Sequence, residues 1–251
     1  MKIASLGSGS KGNATLVSDG DTNILIDCGF SLRQFEKRLL ALQMNAVDID
    51  VVLLTHEHSD HCGGVIALSS RFDIPVWATY GTGRAVFDRG TDFNKLCGGE
   101  LINIGNFDVL PVTVPHDAGE PVQFVFKHKP SGKKIGILTD TGHITNHIID
   151  AYSSLDGLLL EFNYDDAMLR NGPYPLSLKQ RVCSDFGHLS NAQSIGLLRK
   201  IDTRSLSCLI AAHISENNNC LSIVEQQLGQ LDNIPKPIIA SQAMGFDWIA
   251  V

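Results

Sequence analysis

The feature that most constrains this chain is a run of histidine and aspartate residues placed directly after an apolar segment. Residues 51–54 read VVLL, which predicts a buried strand. Residues 55–61 follow and read THEHSDH. The two glycines after this run lead into an amphipathic stretch over residues 65–72, which predicts a helix. The chain must therefore fold so that a strand-to-helix loop presents several imidazole and carboxylate groups together.

The spacing within this loop predicts ligands for two metal ions. His56 and His58 are two residues apart, and in an extended chain alternate side chains point to one face. Asp60 and His61 come after the turn and can point to a neighbouring position. Imidazole and carboxylate ligands together suit zinc, manganese or iron. We expect one metal at His56 and His58 and a second at Asp60 and His61.

Composition indicates an ordinary globular protein. The chain has 251 residues, of which 43% are hydrophobic and 19% charged, enough for a sizeable core. No linker-like or low-complexity tract divides it, so a single domain over residues 1–251 is expected. We expect no membrane association, because no apolar segment has transmembrane length. The net charge of −7 argues against sequence-blind binding to long nucleic acid through a basic face.

The cysteines favour a cytoplasmic location. The chain has six, scattered along the sequence without a C-x-x-C pair. This usage fits reduced thiols better than a disulfide framework or a zinc finger.

Strands and helices are predicted in two groups, each mixing both kinds of element. Strands are expected over 2–6, 14–17, 22–26, 51–54, 75–78, 107–114, 123–127, 134–138, 157–160, 206–211, 237–240 and 246–251. Helices are expected over 32–42, 65–72, 83–87, 192–200 and 222–231. This order predicts an α/β (α+β) protein with two sheets packed face to face and helices outside them.

Other candidate site residues follow predicted strands. His116 follows the strand over 107–114, Asp140 the strand over 134–138, and His213 the strand over 206–211. Asp27 ends the strand over 22–26, where a carboxylate can orient a metal-bound histidine. The glycine-rich segment over 8–13 is either a simple hairpin turn or a turn whose backbone amides face an anion.

The motif His-x-His-x-Asp-His over residues 56–61 resembles that of the metallo-β-lactamase fold superfamily of metal-dependent hydrolases. This resemblance covers essentially the whole chain and implies a four-layer αββα sandwich. It assigns His56, His58 and His116 to one metal. It assigns Asp60, His61 and His213 to the other, with Asp140 bridging the two ions. A bridging aspartate is typical of the phosphodiesterase, nuclease and glyoxalase II branches rather than of true β-lactamases.

Four further segments resemble the YycJ-like (WalJ-like) bacterial proteins. They cover residues 8–13, 161–165, 187–191 and 213–218, which read SGSKGN, EFNYD, GHLSN and HISENN. Residues 173–175 (PYP) and 179–181 (KQR) add to the likeness. The resemblance implies a DNA 5′-to-3′ exonuclease, with DNA favoured over RNA as the nucleic-acid substrate.

The resemblance also implies roles for individual side chains. Catalysis by a hydroxide that bridges the metals is expected, with Asp60 orienting it and His188 contacting the phosphate or protonating the leaving oxygen. Contacts with the substrate are expected from Ser10, Asn13, Asn163, His188 and Ser190.

Three other functions remain open at this point. A glyoxalase II-like thioesterase can use the same ligands, although it does not explain the segment over 187–191. A small cyclic phosphodiesterase is the second alternative. The third is a binding protein on a degenerate hydrolase fold, which would be expected to have lost metal ligands. The sequence does not fix the native metal, the strand polarity or the oligomeric state.

Overall fold

Two mixed β-sheets face each other in the computed structural model, which describes residues 1–87 and 92–251. The strands are β1 (Lys2–Gly7), β2 (Ala14–Ser18), β3 (Asn23–Ile26), β4 (Val51–Leu53), β5 (Val76–Ala78), β6 (Asn94–Lys95), β7 (Ile102–Ile104), β8 (Phe107–Thr113), β9 (Val122–His128), β10 (Lys134–Leu138), β11 (Gly157–Glu161), β12 (Cys208–Ala212), β13 (Ile238–Ile239) and β14 (Phe246–Ala250).

The helices lie outside the two sheets. They are α1 (Leu32–Ala41), α2 (Ser59–Cys62), α3 (Val65–Phe72), α4 (Tyr80–Val86), α5 (Asn146–Ala151), α6 (Asp166–Asn171), α7 (Leu176–Val182), α8 (Asn191–Leu198) and α9 (Leu221–Leu228). A short 3-10 helix, Ala46–Asp48, precedes β4. None of the helices in residues 1–87 and 92–251 combines the length and hydropathy needed to cross a bilayer.

Each sheet joins an antiparallel part to a parallel part. The first sheet has the order β14-β1-β2-β3-β4-β5-β6 and is antiparallel from β14 to β3, then parallel to β6. The second has the order β13-β12-β11-β10-β9-β8-β7 and is parallel from β13 to β10, then antiparallel to β7. This arrangement confirms the predicted α/β sandwich with helices on both outer faces.

Three apolar layers hold the sandwich together. Side chains such as Ile26, Leu53 and Phe124 fill the space between the two sheets. A second layer lies under α1 and α3, and a third packs α5, α8 and α9 against the other sheet. Burial on both faces explains why β4, β11 and β12 read as continuous apolar runs rather than alternating ones.

Local details differ from the sequence expectation in several places. Helices α2, α5, α6 and α7 and the short strands β6 and β7 were not predicted, and α2 lies within the segment expected to be a loop. Ser31 occupies the position before α1, and its hydroxyl donates to the Gln34 side chain rather than capping a backbone amide. Ser190 caps α8, because its hydroxyl accepts from the Gln193 amide. The unpredicted elements are short, so their periodicity is weak.

The sharp turns after three strands position the candidate site. Asp27 follows β3, Asp140 follows β10 and His213 follows β12, and their φ angles are 61°, 51° and 54°. Non-glycine residues seldom adopt this left-handed region, and such residues concentrate at functional sites. Each turn redirects a polar side chain at the end of its strand, so all three project at the same edge of the sandwich.

Candidate metal centre

A first cluster of imidazoles joins the loop after β4 to the loop after β8. His56, His58 and His116 each place a ring nitrogen within 4.8 Å of the others. His56 Nε2 lies 3.0 Å from His58 Nδ1, so these two atoms converge on one point. The structure thus brings together the three predicted ligands of the first metal, although they come from opposite sheets.

A second group surrounds Asp140. Its Oδ2 lies 3.4 Å from His61 Nε2 and 3.1 Å from His213 Nδ1. Asp60 Oδ2 is 3.7 Å from the same His61 nitrogen. His56, His61 and Asp140 also lie within 4.8 Å of one another, which places Asp140 between the two groups. This position is the one expected of a bridging carboxylate.

Several atoms in these groups have no conventional partner. Within the described part of the chain, His116 Nε2, Asp140 Oδ2 and His213 Nδ1 are buried and make no hydrogen bond of acceptable geometry. Buried polar atoms are nearly always satisfied, and coordination of an ion is one of the standard reasons for an exception. Because the unsatisfied atoms are imidazole nitrogens and a carboxylate oxygen, the donor set fits a divalent metal.

The protonation of two imidazoles also suits metal binding. Burial lowers the pKa of His56 and His116 below the usual histidine value, and neighbouring histidines add to the effect. A lower pKa keeps each ring neutral near pH 7, and the neutral ring is the form that binds a metal.

The charge of Asp140 is similarly fixed. Burial by itself raises the pKa of its carboxyl, but His213 and His61 outweigh this and lower the pKa well below the usual value. Asp140 therefore carries a full negative charge among the imidazoles, as a bridging ligand requires.

Asp27 supports the histidine loop from behind. Its Oδ2 lies 2.7 Å from His61 Nδ1 and accepts from the Thr55 hydroxyl at 2.7 Å. Its Oδ1 accepts from the Thr55 backbone amide. These contacts hold the His61 ring so that Nε2 faces Asp140.

His188 reaches the same centre from the loop before α8. Its Nδ1 lies 2.8 Å from Glu161 Oε1 and 3.5 Å from Asp140 Oδ1, and 23% of its side chain is exposed. Burial lowers the pKa of His188, but the carboxylates of Glu161 and Asp140 raise it to about 9. His188 is thus held as a cation beside the predicted metal ligands.

The role of Glu161 was missed by the sequence analysis. This residue ends β11, is fully buried, and accepts from the Leu189 amide as well as lying against His188. Asp140, Glu161, His188 and His213 all offer ligand atoms within 4.8 Å of one another. Its position in the sequence could have indicated this role. Glu161 ends β11, which runs parallel to β10, so its carboxylate lies at the same edge of the sheet as Asp140.

A cleft of about 460 Å³ opens over these clusters. Its lining includes Asp60, Asp140, His188 and His213. Residues from the glycine-rich segment, from α7 and from the loop after β12 form its walls, among them Lys11, Arg181, Glu216 and Asn217. The cleft is polar and open, with the candidate metal ligands at its floor.

The predicted substrate contacts divide into two groups. Ser10, Asn163 and His188 line the cleft. Asn13 is buried, and its amide contacts Asp60 and His61 instead. Ser190 is also buried, where it caps α8. The structure thus places Asn13 and Ser190 behind the wall of the cleft, where they support the loops that form it.

Comparison with known proteins identifies the family. The family described as Beta-lactamase superfamily domain matches residues 22–214. The chain belongs to the β-lactamase superfamily. Within this superfamily it is 31% identical over 236 residues to Exodeoxyribonuclease YycJ of Bacillus anthracis, covering 92% of this chain and 89% of that protein.

Two further comparisons extend the result. Exodeoxyribonuclease WalJ of Streptococcus pneumoniae is also 31% identical, over 92% of this chain and 90% of its own length. The crystal structure of YhfI from Bacillus subtilis, a metallo-β-lactamase fold protein, superimposes with a TM-score of 0.76 at 14% identity, covering 99% and 98% of the two chains. This member of the β-lactamase superfamily is therefore a metal-dependent hydrolase of the YycJ/WalJ group.

Proposed function

We propose that the protein is a dinuclear metal-dependent phosphodiesterase that degrades DNA from an end, in the 5′-to-3′ direction. The observation that carries this proposal is the placement of His188. A cationic imidazole held by Glu161 stands beside two adjoining ligand clusters in one open cleft. Metal-assisted hydrolysis of a phosphodiester uses ligands that hold the metal ions and a group that can protonate or contact the leaving oxygen.

The ligand assignment follows the clusters. We propose that His56, His58 and His116 hold the first ion. The second is held by Asp60, His61 and His213, with Asp140 shared. The distances around Asp140 and its unpartnered Oδ2 support this division. Asp60 has the longest contact, 3.7 Å to His61, and its assignment depends most on the family likeness. Zinc, manganese and iron all suit these ligands.

The protein side chains divide the remaining chemistry. Divalent cations in such a site supply Lewis acidity toward a phosphoryl oxygen and make water acidic enough to attack at neutral pH. Asp60 orients the attacking water from the cleft floor. His188 donates from Nε2 to the phosphate or to the departing oxygen, because its Nδ1 is engaged by Glu161. Ser10 and Asn163 contact the substrate from the walls.

DNA is the proposed polymer because the two relatives that match over about nine-tenths of their length are named exodeoxyribonucleases.

Asn13 and Ser190, which the sequence predicts as substrate contacts, are assigned an indirect role: they support the loops that form the walls of the cleft. We place the protein in the cytoplasm, since all six cysteines are free thiols.

The test is a digestion assay with several substrates and metals. End-labelled DNA and RNA, with 5′-phosphate and 5′-hydroxyl ends, are incubated with protein loaded with zinc, manganese or iron. We expect mononucleotides to be released from the 5′ end of DNA. Release from the 3′ end would reverse the polarity, and digestion of RNA alone would change the substrate.

S-lactoylglutathione and a cyclic dinucleotide serve as competing substrates in the same assay. The chain shares 34% identity with a hydroxyacylglutathione hydrolase of Bdellovibrio bacteriovorus over 89 residues, which make up 35% of this chain and 34% of that protein. Efficient thioester cleavage without cleavage of any phosphodiester would replace the nuclease proposal with a thioesterase.

A further inference from the structure

We propose that Lys11 and Arg181 bind the DNA phosphates on either side of the scissile one, and that Glu216 and Asp117 occupy these positions when DNA is absent. This inference rests on the proposed nuclease function and adds the residues that hold the strand. It concerns the glycine-rich segment and α7, whose roles the catalytic chemistry does not explain.

Among the described residues that line the cleft, Lys11 is the one lysine and Arg181 is the one arginine. Both are well exposed, with 67% of the Lys11 side chain and 59% of the Arg181 side chain accessible. The rest of the lining includes the carboxylates Asp60, Asp117, Asp140 and Glu216. A polyanion entering this acidic cleft therefore has two side chains of fixed positive charge to contact outside the metal centre.

Each cation already holds a carboxylate. Lys11 Nζ lies 2.7 Å from Glu216 Oε2, and Arg181 Nε donates to Asp117 Oδ2 at 2.6 Å. A carboxylate oxygen offers a guanidinium or ammonium group the same kind of charge-assisted hydrogen bond as a phosphate oxygen. Glu216 and Lys11 are both well exposed, and because exposed ion pairs contribute little net stability, an incoming phosphate can replace Glu216 at small cost. Asp117 is only one-third exposed and its Oδ1 lies 3.5 Å from His116 Nε2, so Arg181 can turn to a phosphate while Asp117 stays beside the imidazole.

The strand order places the carboxylates of the two pairs on opposite sides of Asp140. Glu216 is on the loop after β12, and Asp117 is on the loop after β8. Four strand spacings separate β12 from β8 in the sheet, and β10, which leads to Asp140, lies midway. At about 4.8 Å per spacing, the two ends are roughly 19 Å apart. A strand that crosses the metal centre between the two loops therefore passes one cation before Asp140 and one after it.

The loop that carries Lys11 is firmly held. Gly9 N donates to Asn13 Oδ1 at 2.7 Å, and Asn13 N donates to the Asp60 carbonyl at 2.8 Å. Ser8 Oγ accepts from the His213 amide at 3.0 Å, which links the same loop to a candidate metal ligand. Lys11 therefore projects from a backbone whose position is fixed relative to the metal centre. This fixed geometry distinguishes it from an ordinary surface lysine.

The first experiment measures the salt dependence of DNA cleavage and binding. KM and kcat of the metal-loaded protein are determined over a series of salt concentrations for Lys11→Met and Arg181→Met. Removal of one cation–phosphate pair should reduce the slope of log KM against log salt by about 0.7, the value for single-stranded DNA. Arg204→Met and Lys129→Met are matched controls, since Arg204 forms a similar exposed pair with Asp202 and Lys129 is exposed on a distant turn.

Removing a competing carboxylate should have the opposite effect. Glu216→Gln leaves Lys11 without its partner, and the gain in DNA affinity should reach up to about fivefold, the range of an exposed ion pair. Fluorescence anisotropy of labelled DNA on metal-free protein provides a readout that does not need catalysis. Weaker binding by Glu216→Gln would show that the Lys11 pair is structural and overturn its proposed role.

The second experiment locates the phosphates. One substrate carries an uncharged methylphosphonate at the linkage that follows the scissile one on its 3′ side. A second substrate carries a 5′-hydroxyl instead of the 5′-terminal phosphate, which is the phosphate on the other side when mononucleotides are released. The penalty of one variant, Lys11→Met or Arg181→Met, should vanish on the first substrate and that of the other variant on the second. Coupling of both variants to the same phosphate would contradict the two-sided arrangement.

These results separate the inference from the proposed function. If the parent protein cuts no DNA under any metal, the nuclease proposal fails. If it cuts DNA and the Lys11 and Arg181 variants keep the parental salt slope, only the present inference fails.

Discussion

Two buried carboxylates at different distances determine the state of His188. Glu161 is fully buried and lies 2.8 Å from Nδ1, whereas Asp140 Oδ1 is 3.5 Å away. The closer contact fixes the ring orientation, and Asp140 is directed toward His61 and His213 instead. A histidine with this anchorage can act on the substrate without being a metal ligand itself.

The variant His188→Ala should therefore separate chemistry from metal binding. General acid groups typically contribute about 10²–10⁴-fold, and we expect DNA hydrolysis to fall within that range at unchanged metal content. The defect should shrink on a p-nitrophenyl phosphodiester, because p-nitrophenolate needs little protonation as it leaves. Rates on both substrates are measured beside metal content.

The companion variant Glu161→Gln tests the anchorage. It keeps the shape of the side chain but removes the charge that raises the pKa of His188. It should reproduce part of the His188→Ala defect and move the alkaline limb of the rate profile to lower pH.

The result that would contradict the His188→Ala prediction is a loss of metal from that variant. Such a loss would make His188 a ligand, in line with its place in the cluster with Asp140 and His213.

At the scale of elements, the loop over residues 55–64, which carries the histidines, packs so closely against the loop after β3 that no side chain fits between them. A Cβ atom added to Gly29 would lie 1.8 Å from the Asp60 carbonyl oxygen, and one added to Gly64 would lie 1.9 Å from the Phe30 carbonyl oxygen. The Cys28 amide also donates to the His61 carbonyl at 2.7 Å. The two loops therefore hold each other, and glycine is required where they touch.

The variant Gly29→Ala should displace α2 and weaken the metal site. Overpacking of this kind typically costs about 1–3 kcal/mol, and movement of Asp60 should reduce metal affinity as well. Urea denaturation gives the first quantity, and titration with a chelator gives the second. Gly196→Ala is the control, since an added Cβ in α8 contacts nothing within 4 Å and should stabilise the helix by about 1 kcal/mol. Equal metal affinity in the two variants would contradict the prediction.

Asp19 ties the two sheets together at the end opposite the metal centre. It lies in the turn between β2 and β3, and its Oδ2 accepts from Asn106 Nδ2 at 2.7 Å across the sandwich. His128 Nε2 lies 3.3 Å from the same oxygen. Burial raises the pKa of Asp19, but hydrogen bonds from Asn106 and from the Thr22 and Asp21 amides lower it to about 2.

This lowered pKa predicts a loss of stability in acid. The unfolded carboxyl has a pKa of 3.8, so the stabilisation is fully present above about pH 4 and disappears as the pH falls to about 2. The shift corresponds to about 2 kcal/mol. Urea unfolding from pH 6 to pH 2 should show Asp19→Asn less stable than the parent at pH 6 by about this amount, with the difference vanishing near pH 2. A constant difference would show that the carboxylate charge is not responsible.

The sequence was most informative where a polar residue follows an apolar run. Asp140 and His213 follow strands that are buried on both faces, so their places at the sheet edge could be predicted. The partner of Glu161 could not, because His188 lies 27 positions further along and reaches it only through the loop before α8. Asn13 was predicted as a substrate contact, but the packing of its loop on Asp60 turns its amide inward.

For the whole molecule, we propose a single folding domain over residues 1–251. The first sheet pairs β14 with β1, with Ala250 opposite Lys2, so the two ends of the described chain share one sheet. The layer between the sheets contains residues from both halves, such as Ile24 and Ile210. Neither half can bury its inner face without the other.

Unfolding should accordingly be one transition, and metal should shift it. A ligand that binds only the folded state stabilises it by about 2.7 kcal/mol when its concentration is 100 times Kd. We expect one transition in thermal scans, with a higher midpoint after metal is added. In Asp140→Ala most of this increase should disappear, together with nearly all activity and most of the second metal. Two separate transitions in the parent protein would contradict the single-domain proposal.

The order of the site residues along the chain has a consequence for biosynthesis. The last residue of the first cluster along the sequence is His116, whereas the second group also includes His213, which follows β12. While a nascent chain is still on the ribosome, the imidazoles of the first cluster emerge long before their bridging partner is held by a finished sheet. A translation product that stops before residue 213 lacks His213 and β14, so neither sheet is complete and the loops after β4 and β8 have no folded sandwich to hold them together. Premature release would therefore yield fragments in which neither group of ligands is assembled.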